Sequence, residues 1–206
     1  MTDASLTRTA RKAAATRRVI VDAAEAILFD GGQGALTLEA VAERADVAVQ
    51  TVYNRVGGRS ALLIAVAERA LEENREYMER ALAGEGSTEE RLLASFRTYA
   101  RFAAERPMQF RLLADPPDEP AALEAIAALI EDRNRCCAEV VAAGVADGSF
   151  DPGLDPHLTS IALWGVSNGI LGLQWRADRL RVDEAELDRL MDTVSTLIVT
   201  GLRRRA

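Results

Sequence analysis

The sequence predicts an all-α fold, and three observations carry that prediction. Ala, Leu, Glu and Arg, all good helix formers, dominate the 206 residues. The β-branched residues are scattered rather than alternating with polar ones, so the period-two signature of strands is absent. Apolar residues instead recur at helical spacing between Gly-, Pro- and Asp-rich breaks, which divides the chain into about nine helices. With 49% hydrophobic residues the chain can bury a core without disulfide or metal support.

The first dozen or so residues, from Met1, read as a flexible basic arm. A helix is then expected from Thr16, as N-cap, to Phe29, with Ile20, Ala23, Ala24, Ile27 and Leu28 on one face. Asp30-Gly31-Gly32-Gln33-Gly34 ends it, because glycine supplies the left-handed conformation on which helices stop. Thr37 caps a short helix, Leu38 to Arg44, with Val41 and Ala42 inward. After a tight turn at Ala45-Asp46-Val47-Ala48, a second short helix covers Val49 to Arg55, anchored by Val49 and Val52. Gly57-Gly58 breaks the chain, and Ser60 opens a long helix to Ala83 with Leu63, Val66, Ala67, Ala70 and Leu71 in one stripe.

Gly84-Glu85-Gly86 is the clearest linker-like break. Ser87 with Glu90 forms a capping box for a helix to Glu105. Pro107 suits the first turn of a short helix ending near Leu113, and Asp115 to Pro120 is a Pro-rich turn. A long helix follows from Ala121 to Ala146, then a turn-rich loop from Gly148 to Gly153. Asp155 caps a helix to Arg176 that is apolar nearly all round and so must be buried on several sides. Asp183 and Glu186 form the capping box of the last helix, with Leu187, Leu190, Met191, Val194, Leu197, Ile198 and Leu202 at helical spacing.

The net charge of -7 is unevenly spread. Met1 to Leu63 holds eight Arg/Lys against seven Asp/Glu, and the remainder 17 against 25. Up to Arg18 there are five basic residues against Asp3 alone. Screening over about 8 Å leaves the local charge to face a phosphate backbone, so a basic head on an acidic body is compatible with DNA. No apolar run approaches a membrane span and no signal peptide is visible, so a soluble, cytoplasmic chain with no membrane partner is expected. Adjacent Cys136 and Cys137 sit about 100° apart on a helix and suit neither a disulfide nor zinc. They read as packing residues, with oxidant sensing the lesser alternative.

Two short helices joined by a tight turn, with a third helix before them, match the helix-turn-helix pattern. The second helix of such a pair enters the major groove. Gln50, Thr51, Tyr53 and Asn54 are the polar residues it would turn outward. Gln and Asn pair bidentately with adenine, while Thr and Tyr hydroxyls bond phosphates.

Here the sequence resembles the TetR family of repressors. The resemblance is carried by Ile20 to Phe29, Gly34, the run Thr37-Leu38-Glu39-Ala40-Val41-Ala42-Glu43-Arg44-Ala45, then Val47, Thr51, Tyr53 and Leu62. It departs from the family at Asp46, where glycine is usual, Ala48, where Ser or Thr is common, Val56, where Phe is common, and Arg59, where Lys is usual. The resemblance implies that Thr37, Tyr53 and Arg59 hold phosphates, that Gln50, Thr51 and Asn54 face bases, and that Arg17, Arg18 and the arm add backbone or minor-groove contacts. Residues 1-63 would then be the DNA-binding domain and 64-206 an effector-binding and dimerisation domain.

Further on, Tyr99-Ala100-Arg101-Phe102-Ala103-Ala104-Glu105-Arg106-Pro107 with Phe110 to Leu113 resembles the fifth and sixth helices of one branch of the family. Leu163-Trp164-Gly165-Val166-Ser167-Asn168-Gly169-Ile170 resembles its Trp-x-x-x-His-Gly pattern, with Asn168 in place of His. The resemblance implies a pocket for a small, largely apolar effector. Its candidate lining is Phe96, Tyr99, Phe102, Met108, Phe110, Trp164, Asn168 and Trp175, although each aromatic also suits plain core packing. A buried amide such as Asn168 needs partners, which a ligand can supply.

The apolar stripes of the last two helices exceed what one partner could cover, which points to a homodimer through a four-helix interface. Gly165, Gly169 and Gly172 would let helices approach closely. Two recognition helices about 34 Å apart would read a pseudo-palindromic double-stranded DNA operator. An enzyme is not expected: no nucleophile–base pair, metal cluster or Gly-rich phosphate loop is present, no cofactor is implied, and the one histidine, His157, stands alone. The alternatives are a DNA-binding regulator or architectural protein without a small effector and, more remotely, an enzyme using the bundle cavity.

Overall fold

A computed structural model of the chain describes residues 7–82, 86–116 and 118–203. Among the described residues it is helical throughout: α1 (Arg8–Gly31), α2 (Leu38–Arg44), α3 (Val49–Arg55), α4 (Arg59–Leu82), α5 (Thr88–Glu105), α6 (Pro107–Ala114), α7 (Pro120–Asp147), α8 (Pro156–Leu171) and α9 (Glu184–Leu202), with short 3₁₀ turns at Gln33–Ala35 and Gly172–Trp175. The all-α expectation is met. Met1 to Leu6 of the expected arm, the break at Gly84 and Glu85, the helix end at Ala83 and Pro117 of the Pro-rich turn lie outside the described residues.

The chain forms two compact units. The first takes the described part of Met1–Ala70 with Arg111–Ala127; the second takes that of Leu71–Phe110 with Ala128–Ala206. In the first, Ile20 and Ala24 of α1, Leu36 and Val41 around α2, Val52 of α3 and Leu62 and Leu63 of α4 are fully buried. They are the apolar stripes of four helices closing on one another. In the second, α5, α8 and α9 pack mutually, around buried Phe102, Leu163, Leu171, Met191 and Val199.

The beginning of α1 corrects the expected arm. Thr7, not Thr16, is the N-cap, its hydroxyl accepting from Ala10 N–H at 3.2 Å. Thr16 lies inside the helix, where its hydroxyl donates to Lys12 O at 3.0 Å, the back-bond open to a mid-helix threonine. Arg8, Arg11 and Lys12 therefore stand on a helix, all exposed. Ser60, expected to open α4, instead lies inside that helix, which begins at Arg59, and gives its hydroxyl to Glu119; the remaining caps follow their residues. Thr37 accepts from Ala40 N–H, Ser87 and Glu90 form a reciprocal box, and Asp155 accepts from Leu158 N–H; Asp183 accepts from Glu186 N–H, the forward half of its expected box without the return bond.

Two departures in the second unit have local causes. The helix expected to reach Arg176 stops at Leu171 and tightens into a 3₁₀ turn, so Trp175 sits on that turn. The loop after α7 is not merely polar. Phe150 is fully buried, its N–H bonded to Gly144 O at 2.9 Å. A Cβ on Gly144 would come within 2.2 Å of the Phe150 ring, so that glycine is what lets the ring close over α7. Arg203, just beyond α9, pairs with Glu89 of α5, and the guanidinium holds that carboxyl below its ordinary range.

Candidate nucleic-acid interface

The connection between α2 and α3 is set by backbone chemistry. Asp46 N–H bonds to Glu43 O at 3.2 Å and Val47 N–H to Ala42 O at 3.0 Å. Those two bonds, with a left-handed residue between them, make a Schellman stop. The left-handed residue is Asp46, φ 52, the only non-glycine with positive φ among the described residues. The chain then extends through Ala48, and Thr51 N–H bonds to Ala48 O at 2.8 Å to open α3.

In α3, Val52 is fully buried and forms the helix's anchor. Val49, expected to share that task, is 40% exposed. It lies about 60° round the helix from Val52 and one turn nearer the start, off the buried line. Gln50, Tyr53 and Asn54 are exposed, and Thr51 is half-buried. Gln50 Nε2 donates to Asn54 Oδ1 at 2.9 Å, one turn apart, so the two amides share one face. Thr37, exposed, caps α2, and its role as a cap is compatible with a further bond from its hydroxyl.

The cationic candidates differ in how free they are. Arg18 is exposed on α1, and Arg17 sits 3.5 Å from Glu68 across an exposed pair. Arg59 is committed inward: it donates to Leu36 O at 3.1 Å and Gln33 O at 2.9 Å and pairs with Glu119. Glu119 also takes the Ser60 hydroxyl. Arg44, which the sequence reading passed over as a candidate, is exposed in the last turn of α2 and pairs with Asp30 at 2.6 Å.

The second unit gathers most of the other candidates. Tyr99 lies 6.5 Å from the Phe102 ring and 5.6 Å from the Phe110 ring, and Phe110 stacks on Trp175 at 5.2 Å. The buried Tyr99 hydroxyl donates to Asn168 Oδ1 at 2.8 Å. Burial pushes the phenol above its ordinary range, opposed by Arg133 and by the Trp164 indole beside it. The Arg133 guanidinium stands 4.6 Å from the Tyr99 ring centroid, a contact no sequence pattern announced. Phe96 is buried and Met108 half-buried, without a ring contact to this cluster among the described residues. Cys137 of α7 is half-buried; burial raises its thiol, with Arg133 opposing, while Cys136 is exposed.

Comparison with known proteins finds a family match in each part of the chain. A family model described as bacterial regulatory proteins, tetR family, matches residues 20–66, and one described as tetracyclin repressor-like, C-terminal domain, matches residues 82–194. The chain belongs to the TetR family. It is thus a DNA-binding transcriptional regulator with an N-terminal helix-turn-helix and a helical C-terminal domain. Among solved structures, the fatty acid degradation regulator FadR of Bacillus halodurans superposes with a TM-score of 0.78 at 18% identity, covering 92% of this chain and 97% of that one. FadR of Bacillus subtilis in complex with stearoyl-CoA gives 0.76 at 18% identity, covering 90% and 99%. A Rhodococcus sp. RHA1 protein of unknown function gives 0.72 at 25%, covering 92% and 96%. A search of curated proteins found no match.

Within the TetR family frame, the departures at this chain's positions acquire physical meaning. Asp46 takes the left-handed conformation that the usual glycine would take. Asn168, in place of histidine, uses its carbonyl oxygen to accept from Tyr99. Among the described residues no helix is long and apolar enough to cross a membrane, and no group of three or more His, Cys, Asp or Glu is arranged to hold a metal ion.

Proposed function

We propose that the protein is a homodimeric repressor that leaves a pseudo-palindromic operator when a small, largely apolar effector binds. Residues 1-63 act as the DNA-binding head and 64-206 as the effector and dimer domain. The observation that carries the reading is α3: one buried anchor, Val52, with Gln50, Tyr53 and Asn54 exposed around it. Polar side chains held off a rigid helix are what base readout requires. Gln50, Thr51 and Asn54 face base edges, Thr37 and Tyr53 bond phosphates, and Arg17 and Arg18 add backbone contacts.

The dimer reading draws on α8 and α9. Leu158, Ile161 and Val166 are 64%, 41% and 44% exposed, and Ala162, Gly165 and Gly169 share their face at i, i+3, i+4 spacing. Nothing lies within 4 Å of where a Cβ on Gly165, Gly169 or Gly201 would stand. On α9, Leu197 is 65% exposed. Two such helices from each of two chains make a four-helix interface about a two-fold axis. The effector reading draws on the aromatic cluster around Tyr99 and its mixture of apolar rings with a few polar groups.

The test is fluorescence anisotropy on DNA upstream of the protein's own gene, with scrambled DNA as the competitor, beside sedimentation of the free chain at micromolar concentration. Site-specific binding by a dimer, weakened at least tenfold by Gln50→Ala with Asn54→Ala, is expected. Salt-sensitive binding that ignores sequence, or a chain that sediments as a monomer, overturns the reading.

A further inference from the structure

Arg133 is out of place in a helical core. Its neighbours one turn away on α7 are Leu129, Ile130, Cys136 and Cys137, so none of the carboxylates that usually accompany a helical arginine is on its face. No Asp or Glu pairs with it among the described residues. Instead the guanidinium leans over the Tyr99 ring at 4.6 Å. A half-buried cation is costly unless it is paired, and a ring face returns only part of that cost.

The groups around it are biased toward donors. Tyr99 spends its proton on Asn168 Oδ1, which leaves the Asn168 NH₂ as the free end of that amide. The Trp164 indole and the Arg133 guanidinium can only donate, and both share the one phenol oxygen as acceptor, so donors outnumber acceptors here. Three donor groups, one of them cationic, thus converge beside stacked Phe110 and Trp175.

We propose that the effector is an amphipathic carboxylate, its anionic head received by Arg133 beside the Tyr99–Asn168 pair and its apolar part laid against half-buried Trp175, which buried Phe110 backs. A guanidinium matches a carboxylate bidentately, through two parallel N–H···O bonds. The inference rests on the effector reading above and narrows it to a chemical class.

Isothermal titration of the full chain with matched pairs tests it: decanoate against 1-decanol, and 2-naphthoate against 2-naphthalenemethanol. Each acid is expected to bind about tenfold or more tighter than its alcohol, the usual margin of a charge-assisted hydrogen bond. Arg133→Gln removes the preference, acid and alcohol then binding within about twofold of each other, and Arg133→Lys retains part of it. Acid and alcohol binding equally, or a preference that survives Arg133→Gln, overturns this inference while the effector reading stands. Failure of all four compounds to bind overturns both. Where Arg133→Gln does not fold, the acid–alcohol ratio in the native protein and in Arg133→Lys decides the matter.

Discussion

The turn at Asp46 offers the sharpest test of how this sequence builds its reading head. Asp46 occupies the C′ position of α2 with φ 52, flanked by the bonds Asp46 N–H to Glu43 O and Val47 N–H to Ala42 O. A left-handed residue with a Cβ costs roughly 1–2 kcal/mol, less for Asp, while glycine there avoids that cost but loses about 0.5–1 kcal/mol of unfolded-state entropy. An aspartate at a helix C-terminus also opposes the helix dipole by about 0.3–1 kcal/mol. Asp46→Gly should therefore stabilise by about 0.5–1 kcal/mol, and Asp46→Asn, which removes only the charge, by about 0.3–1 kcal/mol. Asp46→Val places a β-branched residue where such residues are outliers and should cost about 2 kcal/mol.

The assay is urea unfolding followed by far-UV circular dichroism, with amide exchange of Val47 as the local reporter. Val47 N–H closes the outer bond of the turn, so its protection should rise in the glycine variant and collapse in the valine one. Sequence-specific DNA binding should survive Asp46→Gly and weaken with Asp46→Val, because the turn sets the angle at which α3 leaves α2. A glycine variant less stable than the native protein, or a valine variant within about 0.5 kcal/mol of it, would refute a left-handed backbone here.

Three further outcomes follow from other parts of the molecule. Gly144→Ala drives a methyl into the Phe150 ring; overpacking of about 1–3 kcal/mol outweighs alanine's helix advantage of about 1 kcal/mol, so thermal stability should fall, and a second change, Phe150→Leu, should recover part of it. Asn74 of α4 is fully buried with neither end of its amide hydrogen-bonded among the described residues; Asn74→Leu should raise stability by about 1–3 kcal/mol, and a loss of stability in thermal melts would show that the amide is satisfied. Asp178, bonded by Arg176 and by the Leu180 N–H, has its carboxyl lowered to about 2. A depressed carboxyl stabilises above its unfolded value and loses that contribution as pH falls through the folded one, so Asp178→Asn should flatten the pH-dependence of stability between about 4 and 2, and an unchanged acid limb in pH-dependent melts counts against the pairing.

The fold was largely legible because helix boundaries are written in short-range chemistry. Thr37, the Ser87–Glu90 box, Asp155 and Asp183 each cap the helix their spacing predicts. The start of α1 was misread because threonine is ambiguous: Thr7 and Thr16 have the same hydroxyl, and only the chain between them tells which one caps and which bonds back. The Arg-Lys-Ala-Ala-Ala run from Arg11 favours helix throughout. Val49 was misread for want of the neighbouring helix that defines the buried line. What stayed hidden depended on long separations. The Arg59–Glu119 pair spans 60 residues, and Arg133 meets Tyr99 from a different helix, with no spacing rule to join them.

The same energetics sort the cations of the head. Surface pairs such as Arg17–Glu68 and Arg44–Asp30, each with both partners near half exposure, are worth only about 0–1 kcal/mol. A phosphate that releases condensed counterions can displace such a carboxylate. Arg59 is different. Its guanidinium is held by two backbone carbonyls and by Glu119, and moving it to a phosphate would strand both carbonyls and a half-buried carboxylate. Position within the family suggests a phosphate contact for it, but its partners make it a brace between the first turn of α4, the loop at Gln33 and Leu36, and the turn before α7. On the proposed reading the charge offered to DNA then comes from the exposed arginines and lysine of α1 and from Arg44 in the last turn of α2, although the whole chain carries a net charge of -7.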